Sequence, residues 1–594
     1  MNRHARPIAI TGSTKVTTYN LMATSDKPPT DSQLPPSVAA IEAASQRDAS
    51  AKIVTLMSRD NTQTPGHKRR WAVLAVLCTS LLIVSLDNTI LNIALPALIS
   101  DLHATESQLQ WIIDIYACVF AGFLLIAGSV GDRIGRKKVF CAGLVVFAAG
   151  SAGSAFSTSV ATLVTSRSVM GLGAAAIMPA TLSIITDVFR NPVDQERAIG
   201  IWSGTTGLGI AIGPIAGGWL LAHYWWGSVF LVNVPVAVLG FVAALWLVPD
   251  SSDTEKRPID LVGAILSTGG LGLLLWSIIE APIRGWHSVI VLGAGAGAVV
   301  LLISFISWER HSTHPMLVLE PFRNRRFSVA MAAVALAVFA LMGTLFVLTQ
   351  YLQFSLGFSA LAAGIRILPI AAILAIAALS STVLDRWVGT KVVVVAGLMA
   401  VAGGLWQLTT TTTTQSFSHA LLGMLLLGLG AGLIIAPATA SVMGALSRYR
   451  AGVGSAINST ALQVGGALGV AVIGSVLNSR YQGRMSSVLA GHAVPPAASQ
   501  AILGSIGGAL TVARIAGGAL GAALTSTARE AFISGMDLAL LVGTVVVAAS
   551  AVLVIVALPA HRRALPPTSS PLVPGSPRAN VYSVRPADEG RGSD

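Results

Sequence analysis

Runs of about twenty apolar residues, the length that crosses the hydrocarbon core of a bilayer, recur fourteen times in this 594-residue chain. They cover 71–96, 109–130, 139–156, 162–186, 199–222, 229–248, 261–279, 289–308, 329–353, 360–384, 392–408, 420–442, 454–477 and 536–558. No water in lipid can satisfy a backbone N–H or C=O, so segments of this length cross as helices. The expected fold class is therefore an all-α polytopic membrane protein with 14 transmembrane helices. A charged fraction of 11% and a mean hydropathy of +0.73 exclude a soluble globule, in which about 25% of residues are charged. The 59 glycines suit close helix approach in lipid.

The basic residues test this partition. At alternate connections one side holds twenty-one Lys and Arg, among them Lys68, Arg133, Arg136, Lys137, Arg190, Lys256, Arg257, Arg323, Arg386, Arg448, Arg450, Arg562 and Arg563, and the other holds five: Arg284, Arg480, Arg484, Arg514 and Arg529. Short basic connections stay on the cytoplasmic side, so both termini are expected there. The formal charge of +12 thus flanks apolar spans instead of forming a nucleic-acid patch. Residues 1–67 and 561–594, rich in Ser, Thr, Pro and Arg, read as disordered cytoplasmic tails. Cys78, Cys118 and Cys141 show neither a disulfide framework nor metal-ligand spacing. There is no G-x-x-x-x-G-K-[ST] phosphate loop and no H-E-x-x-H, which argues against a nucleotide-driven pump and a metalloenzyme. A receptor or scaffold would need a large extramembrane domain, and none is evident. Between 478 and 533 a Gly/Ala-rich run, 501–524, is expected to form an interfacial or re-entrant hairpin instead of a fifteenth span.

Four stretches carry chemistry. GSVGDRIGRKKVF, Gly128 to Phe140, places Asp132 within reach of Arg133 and Arg136, while Gly131 and Gly135 allow a tight turn. LDRWVGTK, Leu384 to Lys391, echoes it, which suggests an internal repeat. Asp87 lies well inside the first apolar run, where an ionised carboxylate is costly and serves a pathway, unless it is only hydrogen-bonded to Asn88 or Asn92 for packing. Asp114 stands about one turn inside the second run and either lines a cavity, accepts a proton or is a hydrated vestibule acid. Arg167 is the basic residue nearest the middle of any span. In the fifth, Gly200, Gly209, Gly213, Gly217 and Gly218 groove one face for a neighbour and Pro214 removes a backbone donor. Glu280, Asp385 and Asp537 at helix ends are expected to be solvated or interfacial, Arg366 to snorkel, and Asn458 and Gln463 to serve packing.

The first of these stretches resembles the major facilitator loop signature G-x-x-x-D-R-x-G-R-[RK], matched at Gly128, Asp132, Arg133, Gly135, Arg136 and Lys137. Leu86, Asp87, Thr89, Asn92, Ala94, Leu95 and Pro96 resemble the first-helix signature of the fourteen-helix drug:proton antiporters. Arg167, Gly171, Gly173 and Ala174 resemble R-x-x-Q-G-x-G-A, with Met170 where glutamine is usual. Gly200, Gly209, Gly213, Pro214, Gly217 and Gly218 resemble G-x8-G-x3-G-P-x2-G-G at all six positions. Over about 71–558 the chain is thus similar to that antiporter branch. The resemblance implies a six-helix half at 68–250, a two-helix insert at 251–310 and a second half at 311–560. It also implies proton-driven export of hydrophobic, often cationic compounds from the cell by alternating access, without a cofactor. Asp87 and Asp114 would handle proton and cation, Arg167 would tune them, Asp132 with Arg133 and Arg136 would latch the cytoplasmic face, and the fifth helix would act as pivot or seal. The alternative is proton-linked export of a specific endogenous metabolite or lipid.

Overall fold

Every apolar run is helical in the computed structural model, which describes residues 69–251, 260–313, 315–412, 417–444, 451–490 and 492–557. Both expected tails lie outside the described residues, as do Lys68, Lys256, Arg257, Arg448, Arg450, Arg562 and Arg563. Among the described residues fourteen helices are long and apolar enough to cross a membrane. They are α1 (Arg70–Leu102), α2 (Glu106–Ile134), α3 (Arg136–Ala155), α4 (Val160–Val188), α5 (Pro192–His223), α6 (Ser228–Leu247) and α7 (Leu261–Arg284), followed by α8 (Val289–His311), α9 (Arg325–Ser355), α10 (Ala360–Val388), α11 (Thr390–Leu408), α12 (Phe417–Val442), α13 (Ile457–Leu489) and α14 (Gly518–Ala557). Local sequence sets several of the starts. Thr105 and Gln108 form a capping box on α2 and Ser159 with Thr162 one on α4, while Asn191 caps α5 ahead of Pro192, each satisfying N–H groups that a first turn leaves free.

The pairing of helices repeats with an offset of eight. In α1–α6 the packed pairs are α1 with α5, α2 with α4, α3 with α4 and α3 with α6; in α9–α14 they are α9 with α13, α10 with α12, α11 with α12 and α11 with α14. The LDRWVGTK echo is structural as well. Gly135 joins α2 to α3 at φ 116°, Gly389 joins α10 to α11 at φ 85°, and each N–H returns to the carbonyl four residues before it. A side chain at either position would be strained.

Two seams join the sets: α2 against α13 and α5 against α10. α7 packs on both α2 and α13, covering that seam, and α8 packs on α7. The other seam rests on glycine. A β-carbon on Gly218 would overlap the backbone of Ala360 and Leu361, and one on Gly364 would overlap the Pro214 carbonyl. On its other side α5 meets α1, with Gly209 against Ser85 and Leu86, Gly213 against Thr89 and Gly217 against Ile90. Gly200 departs from the expected groove, since nothing lies within 4 Å of where its β-carbon would stand.

The connection expected over 478–533 is shorter in the fold. α13 continues to Leu489, short helices cover Pro496–Gly504 and Ile506–Ala516, and α14 already starts at Gly518. The 501–524 run is therefore not a fifteenth span; it breaks at Gly517 and Gly518, both at positive φ, and Ile506–Ala516 packs on α14. The Tyr481 hydroxyl anchors it, donating to the carbonyls of Ile502 (2.8 Å) and Ser505 (3.2 Å).

Gly213→Leu should force α5 off α1, costing about 1–3 kcal/mol as overpacking does. Gly200→Ala should be neutral or slightly stabilising, by up to ~1 kcal/mol. Thermal unfolding of the two variants in the same detergent checks this contrast.

Candidate functional site

Arg167 is 1% exposed, and four elements supply what its charge requires. From α1, Asp87 forms an ion pair with Nη1 through Oδ2 at 2.5 Å. From α2, the Ile112 carbonyl accepts from Nε at 3.1 Å and the Tyr116 ring lies 4.3 Å from the guanidinium carbon, while the Phe230 ring of α6 lies at 5.8 Å. Aromatic faces attract a desolvated cation. On α4 itself, Met170 fills the place where the resembling signature has glutamine. Its sulfur accepts from Arg167 at 3.8 Å and from Ser154 at 3.4 Å, so the thioether takes over an acceptor role.

Asp87 is as deeply buried. Its Oδ1 accepts from Asn233 Nδ2 at 3.4 Å, and the same amide donates to Ser151 Oγ, which donates onward to the Phe230 carbonyl. The packing alternative with Asn88 or Asn92 is not what forms. Asn88 donates to the Val84 carbonyl and Asn92 to that of Asn88. The sequence reading missed Asn233, although a lone amide in the sixth apolar run was its available signal.

Asp114 stands apart. It is fully buried, and neither carboxylate oxygen has a hydrogen-bond partner. Gln110 and Cys118 lie one turn to either side on the same face of α2. Ser475 of α13 donates to Gln110 Oε1 at 3.1 Å, and the Cys118 thiol points at the Thr268 carbonyl of α7. Asp114 thus belongs to the seam between the halves and not to the Asp87–Arg167 pair. A narrow pocket between α1, α5, α9 and α10 lies on the other side of α1, lined by Thr89, Asn92, Ile210, Pro214, Leu345, Thr349 and Ile370. It is mostly apolar and has polar groups from both sets of helices.

The loop after α2 forms the expected Asp132–Arg136 pair and adds partners on α4. Arg136 Nε donates to Asp132 at 2.9 Å and its Nη1 to Asp187 at 2.5 Å and to the Ser183 carbonyl at 3.4 Å, both on α4. Its backbone N–H donates to the Ser251 carbonyl, and Lys137 donates to that of Leu245. Arg133 is exposed and forms no ion pair among the described residues. Gly128 lies against Pro179. Asp187 escaped the sequence reading because it is 51 residues from Arg136 and only the fold brings them together.

The remaining charged groups at helix ends have these surroundings. Glu280 accepts from Arg284 at 2.9 Å; Asp385 and Asp537 each have a buried oxygen without a partner. Arg366, partly exposed, stacks 3.8 Å over Phe358, where a cation on a ring face is attracted without a counter-ion. Asn458 accepts from Thr439 across to α12, a packing contact.

Like-paired helix sets, a buried ion pair within one of them and a pocket between them define a polytopic membrane transporter, not an enzyme. The Major Facilitator Superfamily model matches residues 77–470, and the chain belongs to that superfamily as a multi-pass protein of the cell membrane. It is 34% identical to a tetracenomycin C resistance and export protein of Streptomyces glaucescens over 82% of this chain and 91% of that one. It is 33% identical to the multidrug efflux pump LfrA of Mycolicibacterium smegmatis, over 84% and 97%, and 30% identical to the methyl viologen resistance protein SmvA of Salmonella typhimurium, over 80% and 95%. Among solved structures, an inward-facing bacterial homologue of the human lysosomal transporter Spinster superposes with a TM-score of 0.57 at 18% identity, over 83% of this chain and 98% of that one; that likeness concerns the fold.

Removing one partner of a buried pair strands the other charge. Arg167→Leu should therefore lower stability by about 3–5 kcal/mol, and the double variant with Asp87→Leu should recover part of that loss. A double-mutant cycle of unfolding in detergent gives the coupling.

Proposed function

We propose that this protein exports hydrophobic, preferentially cationic drugs in exchange for protons, by alternating access, with both termini and the Asp132 latch on the cytoplasmic side. The observation that carries the reading is Asp114, a buried carboxyl with no hydrogen-bond partner on either oxygen, set in a seam that must open and close. Such a group can bind a proton or a cation without first giving up a bond within the protein. Asp87 is the second carboxyl, and Arg167 tunes it by holding a fixed charge beside it.

The pocket between the halves supports this reading. Its lining is apolar, as a lipophilic compound requires, with Thr89, Asn92 and Thr349 as polar groups; its free volume of about 20 Å³ means that the halves part before a drug enters. Resistance and efflux relatives point the same way, and the methyl viologen named for one of them is an organic cation. The latch joins α2, α3 and α4 within one half, so that half turns as one body when the cytoplasmic side opens.

The test is efflux of a fluorescent lipophilic cation from cells, with and without a protonophore. Wild-type efflux should collapse when the protonophore is added, and Asp114→Asn and Asp87→Asn should each lower it about 100-fold or more at matched membrane levels, the range of losing an acid–base group. Efflux by Asp114→Asn equal to wild type would remove this residue from the coupling. Asp132→Asn should slow efflux several-fold with the pH dependence unchanged, and full activity at normal surface expression would rule out the latch role.

A further inference from the structure

At the end of the bundle opposite Asp132, four side chains of the second half bond to the first. Gln350 donates to Glu106 Oε1 at 2.8 Å, Gln353 to the Ile93 carbonyl at 3.1 Å, Ser475 to Gln110 at 3.1 Å and Asn478 to Ser107 at 3.1 Å. All four must break for this end to open. Only one of them contains an ionisable side chain, and that is Glu106, 2% exposed on the first turn of α2.

The Glu106–Gln350 pair is incomplete with an ionised acid. Gln350 Oε1 is buried and has no donor, and a carboxylate has none to offer because it only accepts. A carboxylic acid supplies it: its carbonyl accepts the Gln350 N–H while its O–H donates to Gln350 Oε1, closing a two-bond ring. Adding one proton therefore satisfies the orphan oxygen and removes a buried charge together. Gln350 is also the last residue before α9 changes to a π-turn over Tyr351–Ser355, a local irregularity found often at functional sites.

We propose that Glu106 is a proton-binding residue of the transport cycle, and that closure of this end between α2, α9 and α13 takes up one proton onto its carboxylate. The inference rests on the proposed orientation, in which this end faces the outside. When the halves part, Glu106 meets water and is ionised at neutral pH. Closure then consumes a proton from the outer solution, forming one O–H bond and breaking none in the protein. Gln110 and Asp114 follow Glu106 at one-turn intervals on the same face of α2, so the proton lies upstream of Asp114, and its loss inward frees Gln350 and permits reopening. Lowering the pH should favour the closed form, by at most about tenfold per pH unit for a single proton.

Among the described residues no other charged group bonds to the pair, including Arg480 and Arg484 on α13 and Glu530 and Asp537 on α14. Tyr481 of α13 has its hydroxyl engaged with Ile502 and Ser505, α7 meets this end through the Ile279 carbonyl, and Arg529 of α14 donates to the Phe354 carbonyl. Asp101 and His103 are exposed.

The experiment is electron–electron resonance between spin labels at Ser100 on α1 and Val488 on α13, in the full chain with Cys78, Cys118 and Cys141 replaced by alanine, in nanodiscs from pH 5 to 9. Wild type should shift toward the short distance as pH falls. E106Q, whose amide permanently supplies the donor, should stay short throughout, and Q350L, which keeps the buried acid but loses both bonds of the ring, should still respond to pH but populate the short distance less than wild type at low pH. A wild-type pH profile in either variant would overturn the proposal, as would a wild-type distance that ignores pH. Proton-driven efflux is measured separately in liposomes. A pH-dependent gate without drug efflux would defeat the functional reading and leave Glu106 as assigned, whereas efflux with a pH-independent gate would do the reverse.

Discussion

The ion pair between Arg167 and Asp87 is the interaction on which the first half depends. A charge this deep in a membrane protein is costly, and the fold meets the cost from several elements at once. α1 supplies the counter-ion, α2 a carbonyl and a ring, and α6 a second ring and, through Asn233, a bond to the carboxylate. Four helices are therefore constrained in position by one guanidinium. A buried pair is weak evidence for stability in itself, and its clearer use is to specify one arrangement among competing ones. Here that arrangement is the packing of α1, α2, α4 and α6 around one guanidinium.

Arg167 and Asp87, buried within the first half, hold each other, and Arg136 has three partners. The α2–α13 seam holds its polar groups less completely. Asp114 has none, Gln110 and Asn478 each keep one unpartnered atom, and so does Gln350 nearby on α9. Buried groups left unpartnered cost free energy, and in the proposed cycle opening of this seam exposes them to water, where that cost vanishes. The α5–α10 seam has the opposite character. Glycines bring backbones into contact without side-chain bonds, so it can slide or rock with little to break. α7 covers only the polar seam.

Much of this was legible in the chain. Fourteen runs of apolar residues dictate fourteen helices because lipid leaves the backbone no other partner. The isolated Asp87, Asp114 and Arg167 stood out for the same reason, since a charge in hydrocarbon needs an explanation. The glycine spacing on the fifth helix predicted a close neighbour, correctly for Gly209, Gly213, Gly217 and Gly218 and wrongly for Gly200. Hidden were the partners. Asp187 for Arg136, Asn233 for Asp87 and Gln350 for Glu106 are separated by 51, 146 and 244 residues, and no local pattern links residues so far apart. Glu106 also reads locally as an ordinary first-turn acid.

The sequence by itself determined which segments enter the membrane and which residues within them are anomalous, because both follow from transfer of each segment between water and lipid. The tertiary structure alone decided that Asp87 is paired and Asp114 is not, that one seam is glycine and the other hydrogen-bonded, and that Glu106 faces an amide lacking a donor. Those outcomes depend on how helices are rotated and which ones touch. Between apolar helices in lipid, hydrophobicity does not choose a face, so the choice falls to shape and to a few polar contacts that exist only once the chain is folded.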